Sequence, residues 1–295
     1  FLDIVRRLPE EIVFIETDER MVTYIACGKV NYQIVGMSSV EYPDLPSFEQ
    51  TDRITLNAKI LRDMIRQTVY AVSENTAKPI YTGSLYEIED GVFKIIAIDG
   101  YRMAIRSENV DSESKNRFVV PGKTQHEVLK LLTDDEENTE IIIGQRHITF
   151  KIKNYRIISR LIEGTFIEYK SAIPKETKTE VVINTRTIID AVERMSLLNN
   201  DRIQSPVRCI FSDDEIKLSC TSAVGRANDV ISVPIIGESV EIGFNNRYLL
   251  DALKNADTDE IKLILNGSLT AMIVKPVKGD SYLSIVVPMR LANEN

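Results

Sequence analysis

The stretch ITLNAKILRDMIRQTVYAVSEN (residues 54–75) decides how the chain is read, because its plan returns later. VVINTRTIIDAVERMSLLNND (residues 181–201) also runs from a β-rich triplet into an asparagine and then a helical pattern. Asn57 and Asn184 hold the same place in the two copies, where each can start a helix by accepting backbone N–H bonds. Ile60, Leu61, Met64, Ile65, Val69 and Val72 then recur at helical spacing, as do Ile188, Ile189, Val192 and Met195.

The repeat extends outward at the same offset. KIKNYRIISRL around Tyr155 matches KGDSYLSIVVPM around Tyr282, and GKVNYQIVGMS around Tyr32 is a third copy. VEYPDLP (residues 40–46) resembles IEYKSAIP (residues 167–174). A short helical pattern precedes each tyrosine strand: FLDIVRRL, HEVLKLLTD and RYLLDALKNAD. The unit is therefore strand, helix, several strands, helix, several strands. Residues 55–175 and 178–291 each hold one whole unit, and residues 1–50 only the second half of one. A repeat this long is a duplicated domain, not a solenoid turn. RCIFSDDEIKLSC reads as two strands around an Asp-Asp-Glu turn, and Asp99-Gly100 in AIDGYRMAI reads as a hairpin. Strands outnumber helices, so the expected class is α+β, with helices on one face of antiparallel sheet. The expected domains are residues 1–50, 51–175 and 176–295.

Composition excludes several functions. At 43% hydrophobic and 27% charged, the 295 residues supply ordinary globular cores. No apolar run approaches the roughly 18 residues that would span a membrane. The opening FLDIVRRLPE is charged and amphipathic, unlike a signal peptide, and the lack of an initial methionine suggests missing first residues. Cys27, Cys209 and Cys220 form no CxxC pair and read as buried free thiols of a reducing, cytoplasmic compartment. His126 and His147 have no metal-ligand spacing. No phosphate loop, GxSxG or HExxH occurs, and the acidic run TDDEEN (residues 133–138) reads as a solvated loop. A net charge of −8 argues against indiscriminate nucleic-acid binding but leaves room for a local basic surface. Such a surface is suggested by Lys59, Arg62 and Arg66, which share one face of the helix after Asn57. Arg6 and Arg7, Lys123 and Lys130, and Arg247 and Lys254 place sparse cations on the other helices. Contacts of this kind hold a phosphate backbone without reading sequence.

AIDGYRMA, SRLIEGTFIEYKSAIPKE, EIGFNNRYLLDAL and the terminal IVVPMRL together resemble the bacterial DNA sliding clamp family, the β subunit of DNA polymerase III. The resemblance covers essentially the whole chain. It implies a non-enzymatic processivity factor without cofactors, built from three similar domains per subunit. Two subunits would close into a ring, with helices lining a pore around duplex DNA and sheets outside. The first domain here would lack its first helix and strands. Implied partners are DNA held without sequence preference, polymerase III subunits, the clamp loader and other proteins carrying a clamp-binding peptide, with no membrane. Ile285, Val286, Val287, Pro288, Met289 and Arg290 match the C-terminal wall of the family's peptide groove. Gly100, Tyr101, Arg102 and Met103 match a second wall, Asn245 and Tyr248 a third, and Leu269 and Ala271 a fourth. The chain departs from the family at Tyr81 (often leucine), Ile98 (threonine), Ile167 (proline) and Ser171 (arginine, beside Ala172), which implies a pocket altered in shape and polarity. Ala292 to Asn295 extend past the usual end and would partly cover the groove. Leu197 and Leu198 match one side of the subunit interface, and Tyr32 and Ile34 the other. Arg6, Arg7, Asn75, Lys78 and Lys123 match pore or rim positions. The rival reading is a repeat scaffold that binds peptides and never encircles DNA.

Overall fold

The computed structural model describes residues 1–42, 52–133, 137–198 and 205–291. The tail Ala292 to Asn295, most of the VEYPDLP copy and the centre of the acidic run lie outside these residues. The chain forms two compact units, Phe1–Phe48 and Glu49–Asn295.

In the first unit, α1 (Leu2–Val5) precedes a three-stranded antiparallel sheet of β1 (Phe14–Thr17), β2 (Val22–Cys27) and β3 (Val30–Val35), in that order. The helix expected through Leu8 ends at Val5, and none of its residues is buried. One turn with no face to bury has little to sustain it. Arg6 and Arg7 follow it, exposed.

The second unit holds two copies of one plan. The central copy is β4 (Asp52–Asn57), α2 (Ala58–Val69), β5 (Gly83–Glu89), β6 (Val92–Ile98), β7 (Arg102–Asn109), β8 (Asn116–Pro121), α3 (Gly122–Leu131), β9 (Asn138–Ile143), β10 (His147–Ile152) and β11 (Tyr155–Arg160). The C-terminal copy is β12 (Thr179–Asn184), α4 (Thr185–Ser196), β13 (Val207–Ser212), β14 (Glu215–Ser222), β15 (Gly225–Ser232), β16 (Ile235–Gly237), β17 (Val240–Phe244), α5 (Asn246–Lys254), β18 (Glu260–Leu265), β19 (Met272–Pro276) and β20 (Tyr282–Val286). The asparagine caps form as expected. Asn57 Oδ1 accepts the Lys59 N–H at 2.9 Å, and Asn184 Oδ1 accepts the Thr187 N–H at 3.0 Å. Leu61, Met64, Ile65 and Val69 of α2 are buried, but Ile60, expected in the same stripe, is exposed. Asp213 and Asp214, both at positive φ, make a two-residue turn, so Glu215 opens β14 instead of sitting in the turn.

The central copy folds into two four-strand runs and the C-terminal copy into a run of four and a run of five, but one boundary disappears. The sheet order β16-β12-β18-β19-β20-β7-β6-β5-β8 joins the C-terminal copy to the central one. The join is the antiparallel pairing of β20 with β7, from Tyr282 opposite Arg106 to Val286 opposite Arg102. Alternation along β20 then assigns its faces. Tyr282 and Val286 enter the C-terminal core, while Leu283 and Ile285 pack into an apolar cluster on the opposite face with Met103 and Ile105 of β7. Polar groups close the inner side of the seam. Tyr70 Oη, from the end of α2, lies 3.0 Å from Tyr282 Oη and 2.8 Å from Ser284 Oγ. Arg106 Nε donates to Gln67 Oε1 at 2.7 Å, and Gln67 Nε2 donates to the Asn255 carbonyl at 3.0 Å.

Two measurements test this account. Asn57→Ala removes a cap and should cost about 1 kcal/mol in urea denaturation, with the fold retained. Burial pushes the Tyr70 phenol up to about 12, although its bonds to Ser284 and Tyr282 pull the other way. Its neutral form is thus favoured by folding: that contribution is complete below pH 10 and is lost as pH climbs towards 12. Tyr70→Phe should therefore lose less stability than the parent between pH 10 and 12.

Candidate functional site at the domain seam

A cavity of about 600 Å³ opens where the two copies meet. The central copy supplies Val72, Ser73, Glu74, Asn75, Ala77, Lys78 and Tyr81 after α2, Ile98 to Arg102 at the β6–β7 hairpin, and Ile167. The C-terminal copy supplies Arg247 and Tyr248 from the first turn of α5. Local chemistry shapes each wall. Gly100 sits at φ +94° in the hairpin, a backbone state that glycine adopts without strain. Asp99 Oδ1 accepts the Tyr101 N–H at 2.8 Å and the Arg102 N–H at 3.0 Å, so the turn is tied at its base. Asn245 caps α5, accepting the Arg247 N–H at 3.0 Å and the Tyr248 N–H at 3.2 Å, and thereby aims Tyr248.

Arg102 holds the walls together. It is 7% exposed, donates from Nε to Asp99 Oδ2 at 2.9 Å and forms an ion pair with Asp251 of α5. Its guanidinium lies 4.6 Å from the Tyr248 ring centre and 5.4 Å from that of Tyr70. Tyr101 stacks on the same Tyr248, centroids 5.9 Å apart. Burial raises the Tyr248 phenol, and the Asp99 carboxylate adds to that shift, so the ring stays neutral in ordinary conditions. Arg247 meets Glu74 at 3.7 Å across the mouth, an exposed pair of little weight. Below lies the seam cluster, where Phe166 meets Tyr81 edge-on at 5.9 Å.

Of the residues expected at the groove, Tyr81, Ile98, Gly100, Tyr101, Arg102, Ile167 and Tyr248 line this cavity. Others do not. Val286 is fully buried in the C-terminal core, because the strand period turns it away from Ile285. Met103 and Ile285 are buried in the seam cluster, and Ala271 packs against it. Leu269 is 84% exposed outside the cavity. Ser171 and Ala172 belong to a single 3-10 turn, with the Ser171 hydroxyl donating to the Glu168 carbonyl at 2.8 Å. The segment after β20 is tethered: the Val287 N–H donates to the Tyr101 carbonyl at 2.9 Å and the Met289 N–H to the Gly243 carbonyl at 2.8 Å. Val287 is 40% exposed, Pro288 and Met289 are half-buried, and Arg290 is exposed. Asn75 and Lys78, expected at the DNA rim, are among the residues that line the cavity. Glu74, Asp99 and Arg247 also belong to the cavity; the sequence reads Asp99 as a turn residue and Arg247 as a helix cation, and offers no signal for Glu74.

The helix cations are largely compensated. Arg62 lies 3.6 Å and Arg66 3.7 Å from Asp63, Arg66 also meets Asp257 at 2.5 Å, and Lys254 meets Glu193 at 2.6 Å. Lys59 and Lys123 are exposed and make no ion pair among the described residues. Of the expected interface residues, Leu197 is 82% and Tyr32 41% exposed, Ile34 is half-buried, and Leu198 packs against the C-terminal core. The three cysteines are buried and unpaired, and burial lifts the Cys209 thiol to about 12. Among the described residues there is no group of three His, Cys, Asp or Glu placed to hold a metal, and no helix long and apolar enough to cross a membrane.

Duplicated α+β domains, joined strand to strand with a hairpin-walled groove at the join, define the DNA-clamp class of fold. Residues 55–168 match the model of the DNA polymerase III beta subunit central domain, and residues 170–290 that of its C-terminal domain. A beta sliding clamp of Halalkalibacterium halodurans is 33% identical over 98% of this chain and 78% of its own length. The crystal structure of the Bacillus subtilis DNA polymerase sliding clamp aligns with TM-score 0.94 at 32% identity, covering 98% of this chain and 78% of that one. A sliding clamp of Pseudomonas aeruginosa, solved bound to griselimycin, aligns with TM-score 0.90 at 25% identity, covering 98% of this chain and 79% of that one. The chain belongs to the DNA polymerase III beta subunit family, the beta sliding clamps.

Removing the Arg102 charge should leave Asp99 and Asp251 poorly compensated. Arg102→Met is expected to cost about 3 kcal/mol in urea denaturation, and Arg102→Met combined with Asp251→Asn to recover part of that.

Proposed function

We propose that this sliding clamp acts as a non-enzymatic processivity factor that encircles duplex DNA and tethers polymerase III subunits and other partners through the groove at the domain seam. The observation that carries the tethering role is the groove: an apolar hollow between two domains, with Tyr101 stacked on Tyr248 and Arg102 fixed behind them. Such a hollow accepts a leucine or aromatic side chain of a short peptide, and its polar mouth accepts a glutamine. Tyr81, Ile98 and Ile167 make the wall from the central copy bulkier and more apolar than the family pattern implies.

The division into a partial first domain, residues 1–50, and two whole ones, residues 51–175 and 176–295, belongs to the same proposal. So does the ring. In chain order β15 is to the C-terminal copy what β7 is to the central one, and β11, β3 and β20 are likewise equivalent. β7 is paired by β20, whereas β15 is an edge strand, with Val230 53% exposed. By this equivalence β3 of a second copy, carrying Tyr32 and Ile34, fits against β15 and the neighbouring Leu197 and Leu198. Lys59, Arg62, Arg66, Lys123, Arg6 and Arg7 would face the DNA, sparse enough not to brake sliding. Topological retention, not tight binding, reconciles this with an acidic protein.

A fluorescent pentapeptide, glutamine-leucine-serine-leucine-phenylalanine, titrated into the protein should bind saturably. Tyr248→Ala with Met289→Ala should weaken that binding at least about tenfold, as expected when an aromatic anchor is lost. No saturation at high micromolar protein with the parent chain would overturn the groove assignment. For the ring, the protein loaded on nicked circular DNA should stay bound at high salt and leave when the circle is cut. Equal release before and after cutting would favour the scaffold reading.

A further inference from the structure

A second cleft, of about 590 Å³, lies in the central copy and shares no lining residue with the seam groove, although the same apolar cluster underlies both. It exists because the outermost strand of the nine-stranded sheet is only partly covered. β8 pairs with β5 on one side. On its other side it has a single bridge, Val119 to Ile162, in which the Ile162 N–H donates to the Val119 carbonyl at 2.9 Å. Gly164, at φ +137°, then turns the chain away from the strand, a backbone state that suits glycine. Antiparallel strands direct alternate residues to alternate sides, so the Arg117 N–H and C=O face outward with those of Val119. Among the described residues no backbone hydrogen bond joins residues 163–168 to Arg117, which leaves a strip of open strand edge at one wall of the cleft.

The rest of the lining has a definite chemistry. Leu85, Val119 and Phe166 form a buried apolar floor with Ile162 beside them. The lining acids already have partners: Glu163 lies 3.7 Å from Arg160 and Glu168 3.9 Å from Arg117, while Glu87, beside the cleft, accepts the Tyr169 hydroxyl at 2.8 Å. Of the two lining guanidinium groups, Arg146 is the less engaged. Arg117 reaches Glu87 and Glu168 only at 3.9 Å each, and Arg146 makes no ion pair among the described residues. We propose that this cleft is a second docking site, for an extended segment of a partner protein in which an acidic residue neighbours an apolar one. The backbone of the segment meets Arg117 as a short added strand, its apolar side chain meets the Leu85, Val119 and Phe166 floor, and its carboxylate meets Arg146 and Arg117. The proposal does not rest on the seam groove taking peptides.

The test uses the full chain with labelled isoleucine, leucine and valine methyl groups, titrated with acetyl-leucyl-aspartyl-leucine amide. Saturable shifts are expected at Leu85, Val119 and Ile162, larger than any at Ile98 and Ile167 of the seam groove. Replacing aspartate with asparagine in the peptide, or Arg146→Gln in the protein, should weaken binding about fivefold or more, the order expected for one charge-assisted contact. Unchanged methyl spectra before titration would establish that Arg146→Gln remains folded. The proposal is overturned by still methyl signals at Leu85, Val119 and Ile162, by shifts confined to Ile98 and Ile167, or by equal affinity for the asparagine peptide.

Discussion

The antiparallel pairing of β20 with β7 is the interaction on which the rest of the second unit depends. It runs over five residue pairs and turns two repeats into one sheet. Both faces of the join are packed: the C-terminal core receives Tyr282 and Val286, and the seam cluster receives Leu283 and Ile285. A slip of one residue would exchange these faces and put Ser284, now bonded to Tyr70 and to the Met103 carbonyl, where isoleucine belongs. The groove follows from this register. Arg102 begins β7 and reaches Asp251 and Tyr248 only because Val286 holds it at the join.

The same repeat unit has different fates at its two occurrences. β11 and β20 occupy equivalent places, yet Tyr155 is 59% exposed on an edge strand and Tyr282 is 2% exposed inside a continuous sheet. Duplication copied the strand, and its neighbours decided whether it was solvated or buried. Edge strands with open ladders invite pairing, and β15 carries exposed apolar Val230, with exposed Val224 just before it. The proposed ring uses that liability as an assembly device.

Elements with local signatures were legible in the sequence. The caps at Asn57 and Asn184, the Asp99-Gly100 hairpin and the apolar stripe of α4 depend on neighbours a few residues away. What failed depended on distant partners. The amphipathic pattern at residues 2–8 forms only one turn, since nothing buries its face. The terminal IVVPMRL matched a groove wall as a block, but a strand cannot present consecutive residues to one cavity, so Val286 went to the core. The pairing of β20 with β7 carries no local signal, and with it went the roles of Glu74, Asp99 and Asp251. Asn75 and Lys78, matched by resemblance to a rim, also line the groove with Tyr81, a placement that depends on the loop after α2 meeting the hairpin and has no local signal.

Because Tyr81, Ile98 and Tyr101 come from one domain and Arg247 and Tyr248 from the other, any occupant of the groove is also a cross-link. By linkage, what binds the joined state and not the separated one strengthens the join by RT ln(1 + [L]/Kd). The reverse holds with equal force: a change that loosens the Arg102 anchor lowers affinity even where it touches no ligand. Exchange of one occupant for another is thus a brief loss of mechanical reinforcement at the middle of the sheet. A protein under load from a moving partner would be weakest in the interval between guests.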